Sequence, residues 1–159
     1  GTATAALVSN LDFAETFIDA AGLPQPADMQ GRSLKPLLAG QTPADWRTAF
    51  YYQYFEYPTP HRVRPHYGVI TDRFKLVRFE GIGEDYWELF DLARDPNELK
   101  SVYGEASYAE ITAELKQQLT RLRRELKVPE VIPASWYGNP PGATKGPKQK
   151  AKAAAEKKS

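Results

Sequence analysis

Two stretches of this chain repeat apolar residues at helical spacing, and the block between them is written in strands. From Ser9 to Ala21, the residues Leu11, Ala14, Phe17, Ile18 and Ala21 fall on one stripe, with Ser9 as a cap and Asp12 three residues on. Gly22 and then Pro24 supply the stop, so the spacing predicts a helix over 9–21. From Ser107 to Lys127, Ile111, Leu115, Leu119, Leu122 and Leu126 form a second stripe, opened by a Ser107–Glu110 capping box. Lys116, Arg121, Arg123, Arg124 and Lys127 are expected on its solvated side. The block between reads as strands at Phe50–Tyr57, Tyr67–Ile70, Phe74–Phe79 and Trp87–Leu92, rich in aromatic and β-branched residues. Thr71-Asp72-Arg73 suits an antiparallel hairpin, and Asp95-Pro96 starts a turn. The strand at Phe50 is apolar on both faces apart from Gln53 and Glu56, as in a fully packed strand or one roofed by another domain.

A connector from Pro24 to Pro43 holds Leu34, Leu37 and Leu38, with one helical turn from Ser33 that admits Pro36 in its first turn. A further short turn from Thr42 delivers Trp46 toward the body. Prolines, glycines and lysines dominate 133–159, and from Asn139 on nothing offers an apolar face, so this tail is expected to be disordered.

Length and charge narrow the classes. With 159 residues and 26% charged side chains, the chain can bury one core. No apolar run approaches the ~20 residues of a membrane span. The absence of cysteine removes disulfides, thiolate metal sites and cysteine nucleophiles from the chain. The net charge of +1 conceals six lysines against one acid from Ala143 onward, which leaves the body at −4. A body of that sign does not read as a nucleic-acid binder, and the compartment stays open, with a periplasmic or extracellular parent compatible.

The order of several short motifs carries more than any one of them. Leu7-Val8-Ser9-Asn10-Leu11-Asp12 is followed by Met29-Gln30-Gly31-Arg32-Ser33-Leu34, Asp45-Trp46-Arg47, Tyr51-Tyr52 and Glu56-Tyr57-Pro58. Then come His66-Tyr67-Gly68-Val69, Arg73-Phe74-Lys75-Leu76 and Trp87-Glu88-Leu89-Phe90-Asp91-Leu92. Over residues 7–127 this resembles the C-terminal part of the sulfatases, formylglycine-dependent sulfuric ester hydrolases. The pattern is nearest to the carbohydrate sulfatases of the mucin-desulfating and N-acetylglucosamine-6-sulfatase type. Ile70 and Ser101 depart from it, standing where arginine and asparagine are common.

The resemblance implies an α+β fold: a small antiparallel sheet of about four strands packed by a long C-terminal helix. It assigns 1–40 to the end of an alkaline-phosphatase-like catalytic domain and its connector, and 41–132 to the C-terminal subdomain. Calcium and formylglycine are implied for the parent and not for this segment, which lacks the Cys-x-Pro/Ser-x-Arg motif. The segment is therefore expected to hydrolyse nothing alone, to have the catalytic domain and a sulfated carbohydrate as partners, and to contact no membrane. His66 and Arg64 are the candidate substrate-binding residues, a hydroxyl partner and an oxyanion partner respectively. A metal site from His61 and His66 has no third ligand in view. The aspartates at 12, 72, 91 and 95 are read as caps and turns, with no catalytic role. The tyrosines at 51, 52, 54 and 57 are read as core or interface. An alternative is a stand-alone module that holds glycans through its aromatic face and an anionic partner through its basic tail.

Overall fold

A computed structural model describes residues 1, 3–55, 63–80 and 86–130. Four strands, β1 (Ala49–Tyr54), β2 (His66–Thr71), β3 (Phe74–Phe79) and β4 (Tyr86–Asp91), form one antiparallel sheet in sequence order. Around it lie α1 (Asp12–Ala20), α2 (Lys35–Leu38), a 3₁₀ turn at Ala106–Tyr108 and α3 (Ala109–Glu125). The fold is the α+β sheet and helix that the resemblance implied. The expected disorder of 133–159 lies outside the described residues.

Register sorts the two faces of the sheet. Gly68 stands opposite Tyr52 on one side and Val77 on the other, and Val69 opposite Tyr51 and Leu76. Alternation puts Ala49, Tyr51, Tyr67, Val69, Phe74, Leu76, Trp87 and Leu89 on one face, where α3 covers them with Leu115 and Leu119. This layer is the core. The other face carries Phe50, Tyr52, Tyr54, His66, Gly68, Ile70, Val77, Phe79 and Phe90. The Thr71 side chain closes the β2–β3 hairpin, accepting from the Phe74 N–H at 2.8 Å.

Both helix starts differ from their sequence expectation. The Ser107–Glu110 box does not form, because 106–108 winds as a 3₁₀ turn and α3 begins after Tyr108 with no side-chain cap. At α1 the roles are reversed: the Asp12 carboxylate accepts from the Ser9 N–H at 2.7 Å, and the helix starts at Asp12. Two of the expected surface cations are also drawn inward. Lys116 lies over Trp87 and Tyr103, and Arg123 over Tyr67 at 4.2 Å.

Candidate functional site

His66 opens β2 on the face away from α3, ringed by Tyr54 at 5.4 Å, Tyr52 at 5.8 Å and Phe79 at 5.2 Å between centroids. The cage exists because of Gly68. A Cβ there would strike the Leu76 carbonyl and the Tyr52 ring, so only glycine lets Tyr52 lie flat across the strand beside the imidazole. Burial pushes the Tyr52 phenol above its usual range. The Nδ1 atom of His66 is 2.8 Å from the Arg64 carbonyl. A carbonyl only accepts, so Nδ1 carries the proton, and in the neutral ring Nε2 is left as an acceptor. That is the valence a sugar hydroxyl donor requires. Arg64 is exposed two residues before, and the buried Pro65 accepts from the Glu80 N–H at 2.8 Å, which pins the loop's exit to β3. The sequence places His66 two residues after Arg64, and the fold adds Tyr52 and Tyr54 around the imidazole. His61 and Tyr57 lie outside the described residues.

A second set of polar contacts fixes α1. Asp12 and Glu15 are 0% and 2% exposed although they belong to a surface helix. Arg47 donates twice to Asp12, at 2.5 and 2.6 Å, and the Arg32 N–H adds a bond at 2.9 Å. Burial alone would raise the Asp12 pKa, but the Arg47 guanidinium and the N–H groups of Ser9 and Arg32 hold it below the usual carboxylate range. Glu15 accepts from the Gly31 N–H at 2.6 Å, Thr16 from the Leu34 N–H at 2.8 Å, and Asp19 from the Ser33 hydroxyl and Lys35. Trp46 completes the clasp, between the guanidinium groups of Arg32 and Arg47, with its indole N–H on the Leu7 carbonyl at 2.9 Å.

The consequence is a helix turned inside out. Its polar side faces its own chain, while Leu11, Phe13 and Phe17, with Val8 and Leu23 beside them, are exposed; Phe17 is 71% so. The sequence marks Asp12 as a cap, and the structure makes it also the centre of a buried ion pair with Arg47. Asp91 likewise exceeds its turn reading: it is buried, paired with Arg73 at 2.9 Å and bonded by the Tyr108 hydroxyl. The Arg73 hydrogen bonds outweigh burial and keep its carboxyl below the usual range. Ser101, where the resemblance led one to expect asparagine, accepts from the N–H groups of Leu89 and Tyr103 and so closes the turn after β4.

An antiparallel β1-β2-β3-β4 sheet backed by one long helix is the fold of the small C-terminal subdomain of sulfatases. The family model described as N-sulphoglucosamine sulphohydrolase, C-terminal, matches residues 1–125, and the chain belongs to that family. It is 46% identical over 129 residues to an N-acetylglucosamine-6-O-sulfatase of Bacteroides thetaiotaomicron, covering 80% of this chain and 23% of that protein. A solved structure in complex with its substrate D-glucosamine-2-N,6-O-disulfate matches with a TM-score of 0.71 at 46% identity, over 75% of this chain and 24% of that one. A phosphonate monoester hydrolase of Silicibacter pomeroyi matches with a TM-score of 0.63 at 26% identity, over 76% of this chain and 26% of that one. The chain therefore spans about a quarter of the length of these relatives. The subdomain serves more than one hydrolytic chemistry, so the fold alone does not choose the ester.

Calcium and formylglycine belong to the catalytic domain in this family. The residues here do not fit either group. There is no cysteine to mature, and among the described residues no cluster of three His, Asp or Glu is placed to hold a metal ion. Among the same residues, no helix is long and apolar enough to cross a membrane.

Proposed function

We propose that this chain is the C-terminal part of a carbohydrate sulfatase, docked through α1 on the catalytic domain and lending His66 and Arg64 to the substrate entrance. The observation that carries the reading is the inverted α1. Five large apolar side chains on α1 and the residues flanking it stand outward, while Asp12, Glu15 and Thr16 on the helix's other side each accept a hydrogen bond from within the chain. Covering such side chains yields on the order of 1–2 kcal/mol each, and a catalytic domain is the cover that relatives about four times this length would provide. That same exposed stripe weighs against a stand-alone module, which would bury it.

In this reading the catalytic domain performs the ester hydrolysis. Through Nε2, His66 accepts a hydrogen bond from a hydroxyl of the sugar, and its Nδ1–H···O=C bond to Arg64 fixes both ring orientation and tautomer. Arg64 meets an anionic substituent of the same substrate, as guanidinium groups do. The 46% identity to a sulfatase of 6-O-sulfated N-acetylglucosamine makes that sugar the first to try. The test is sulfate release from N-acetylglucosamine-6-sulfate by the protein that carries this chain behind its catalytic domain. His66→Ala is expected to lower kcat/KM by about 10- to 100-fold, the size of one to two lost polar contacts in the transition state. Sulfate release indifferent to His66→Ala removes His66 from the site, and a protein that releases no sulfate from any sulfated sugar removes the whole reading.

A further inference from the structure

We propose that the C-terminal half of α3 is a second carbohydrate surface, a track for a linear sulfated polysaccharide, distinct from the His66 site. Lys116, Thr120, Arg123 and Arg124 fall on one side of α3 over about 12 Å, and Lys127 follows just past its C-terminus. Glu110, Glu114 and Glu125 fall on the other side of the helix, where Glu125 pairs with Arg121. Thr120, Arg123, Arg124, Lys127 and Val128 also line an open cavity of about 560 Å³, in which Glu130 is the acid among the described residues. The concentration of positive charge stands out because the body before Ala143 carries −4 overall.

The helix dipole favours cations in the last turn. It does not explain Lys116 in the middle of α3, nor the aromatic rings under the track. Arg123 is held over Tyr67 at 4.2 Å, and Lys116 over Trp87 at 4.5 Å while donating to the Tyr103 hydroxyl at 2.7 Å. Two of the cations are thereby ordered before any ligand arrives, which lowers the entropy lost on binding. A row of four cations, two of them ordered, matches a polymer with anionic groups at regular intervals. Successive residues of a strand point to opposite faces, so Tyr67 and the track lie across the sheet from His66. The track therefore holds a stretch of polymer other than the sugar at His66. The class of polymer rests on the sulfatase reading; the track itself does not.

The test is retention of the full chain on immobilised heparin as salt is raised, comparing wild type with the double variant Arg124→Ser/Lys127→Ser. Both side chains are exposed, so the fold is expected to survive, and the six lysines after Ala143 are the same in both proteins. The double variant should bind about five- to tenfold more weakly at low salt, with a log–log salt slope smaller by about two. Equal retention of the two proteins overturns the track, as does single-stranded DNA of matched charge binding as tightly as heparin. If sulfate release fails while the track still binds heparin, the sulfatase reading has failed; if the reverse holds, the track has.

Discussion

Replacing Arg47 by methionine leaves Asp12 buried beside an apolar side chain of similar length, and its cost can be bounded from the structure. Asp12 is fully buried and loses two charge-assisted hydrogen bonds, keeping only the N–H groups of Ser9 and Arg32. Removing one partner of a buried pair costs about 3–5 kcal/mol. The carboxyl has an escape, since it can take up a proton. From a reference pKa near 4, protonation costs at most about 4 kcal/mol at pH 7 and about 1.5 kcal/mol at pH 5. The expected loss is therefore about 3–4 kcal/mol at neutral pH and about 1 kcal/mol at pH 5. In the wild type the sign is opposite. Arg47 lowers the Asp12 pKa, so the stabilisation is present above the unfolded value and fades as pH falls through the lower folded value. Because α1 is anchored by this pair and the Trp46 clasp more than by apolar burial, the loss should appear first as local opening. Amide hydrogen exchange in α1, wild type against variant at each pH, should show protection lower by about two hundred- to eight hundredfold at pH 7, or at the unprotected limit, and by about fivefold at pH 5. Unchanged protection at pH 7, or a loss that does not vary with pH, would refute the argument.

Three further changes probe other parts of the account. Gly31→Ala drives a methyl into the buried Glu15 carboxylate and should cost about 1–3 kcal/mol in urea denaturation; a neutral result would mean that Glu15 does not rest on Gly31. Gly68→Ala should displace Tyr52 and disorder the His66 cage, raising KM for a sulfated sugar in the longer protein while tyrosine near-ultraviolet dichroism changes. Asp91→Asn removes a carboxylate whose pKa Arg73 depresses, so the decline in thermal stability on acidification below about pH 4 should become shallower. An acid limb identical to wild type would show that Asp91 is not among the groups that titrate there.

The sheet and α3 were legible because their signals are local. Phe74–Phe79 is bounded by turn residues and matches β3 residue for residue, and the Leu115–Leu119 stripe buries where its period says it must. Helix α1 shows the limit. Its Phe17 stripe has the period of a core-facing surface, yet it faces outward, because the partner that would cover it is not among the described residues while Asp12 and Glu15 find theirs in Arg47 and Gly31. Periodicity reports that a face wants burial and not what buries it. Pairing across 35 residues, as between Asp12 and Arg47, leaves no local trace beyond the Asp45-Trp46-Arg47 motif itself. The Ser107–Glu110 box does not form for a different reason: Ala106–Tyr108 enters as a tighter 3₁₀ turn, and the helix starts one residue too late for serine to cap it. At the site, His66 and Arg64 were readable as residues, but the cage was not. Tyr52 reaches His66 across the strand pairing and over Gly68, a relation set by register and invisible without it.

The central claim is that the outward face of α1 is an interface with a catalytic domain. Hydroxyl-radical footprinting of Phe13 and Phe17 tests it directly, in the 159-residue chain and in the protein that carries the chain behind that domain. The account predicts ready oxidation of both rings in the short chain and strong protection of both in the long one. Equal labelling in the two proteins would contradict it.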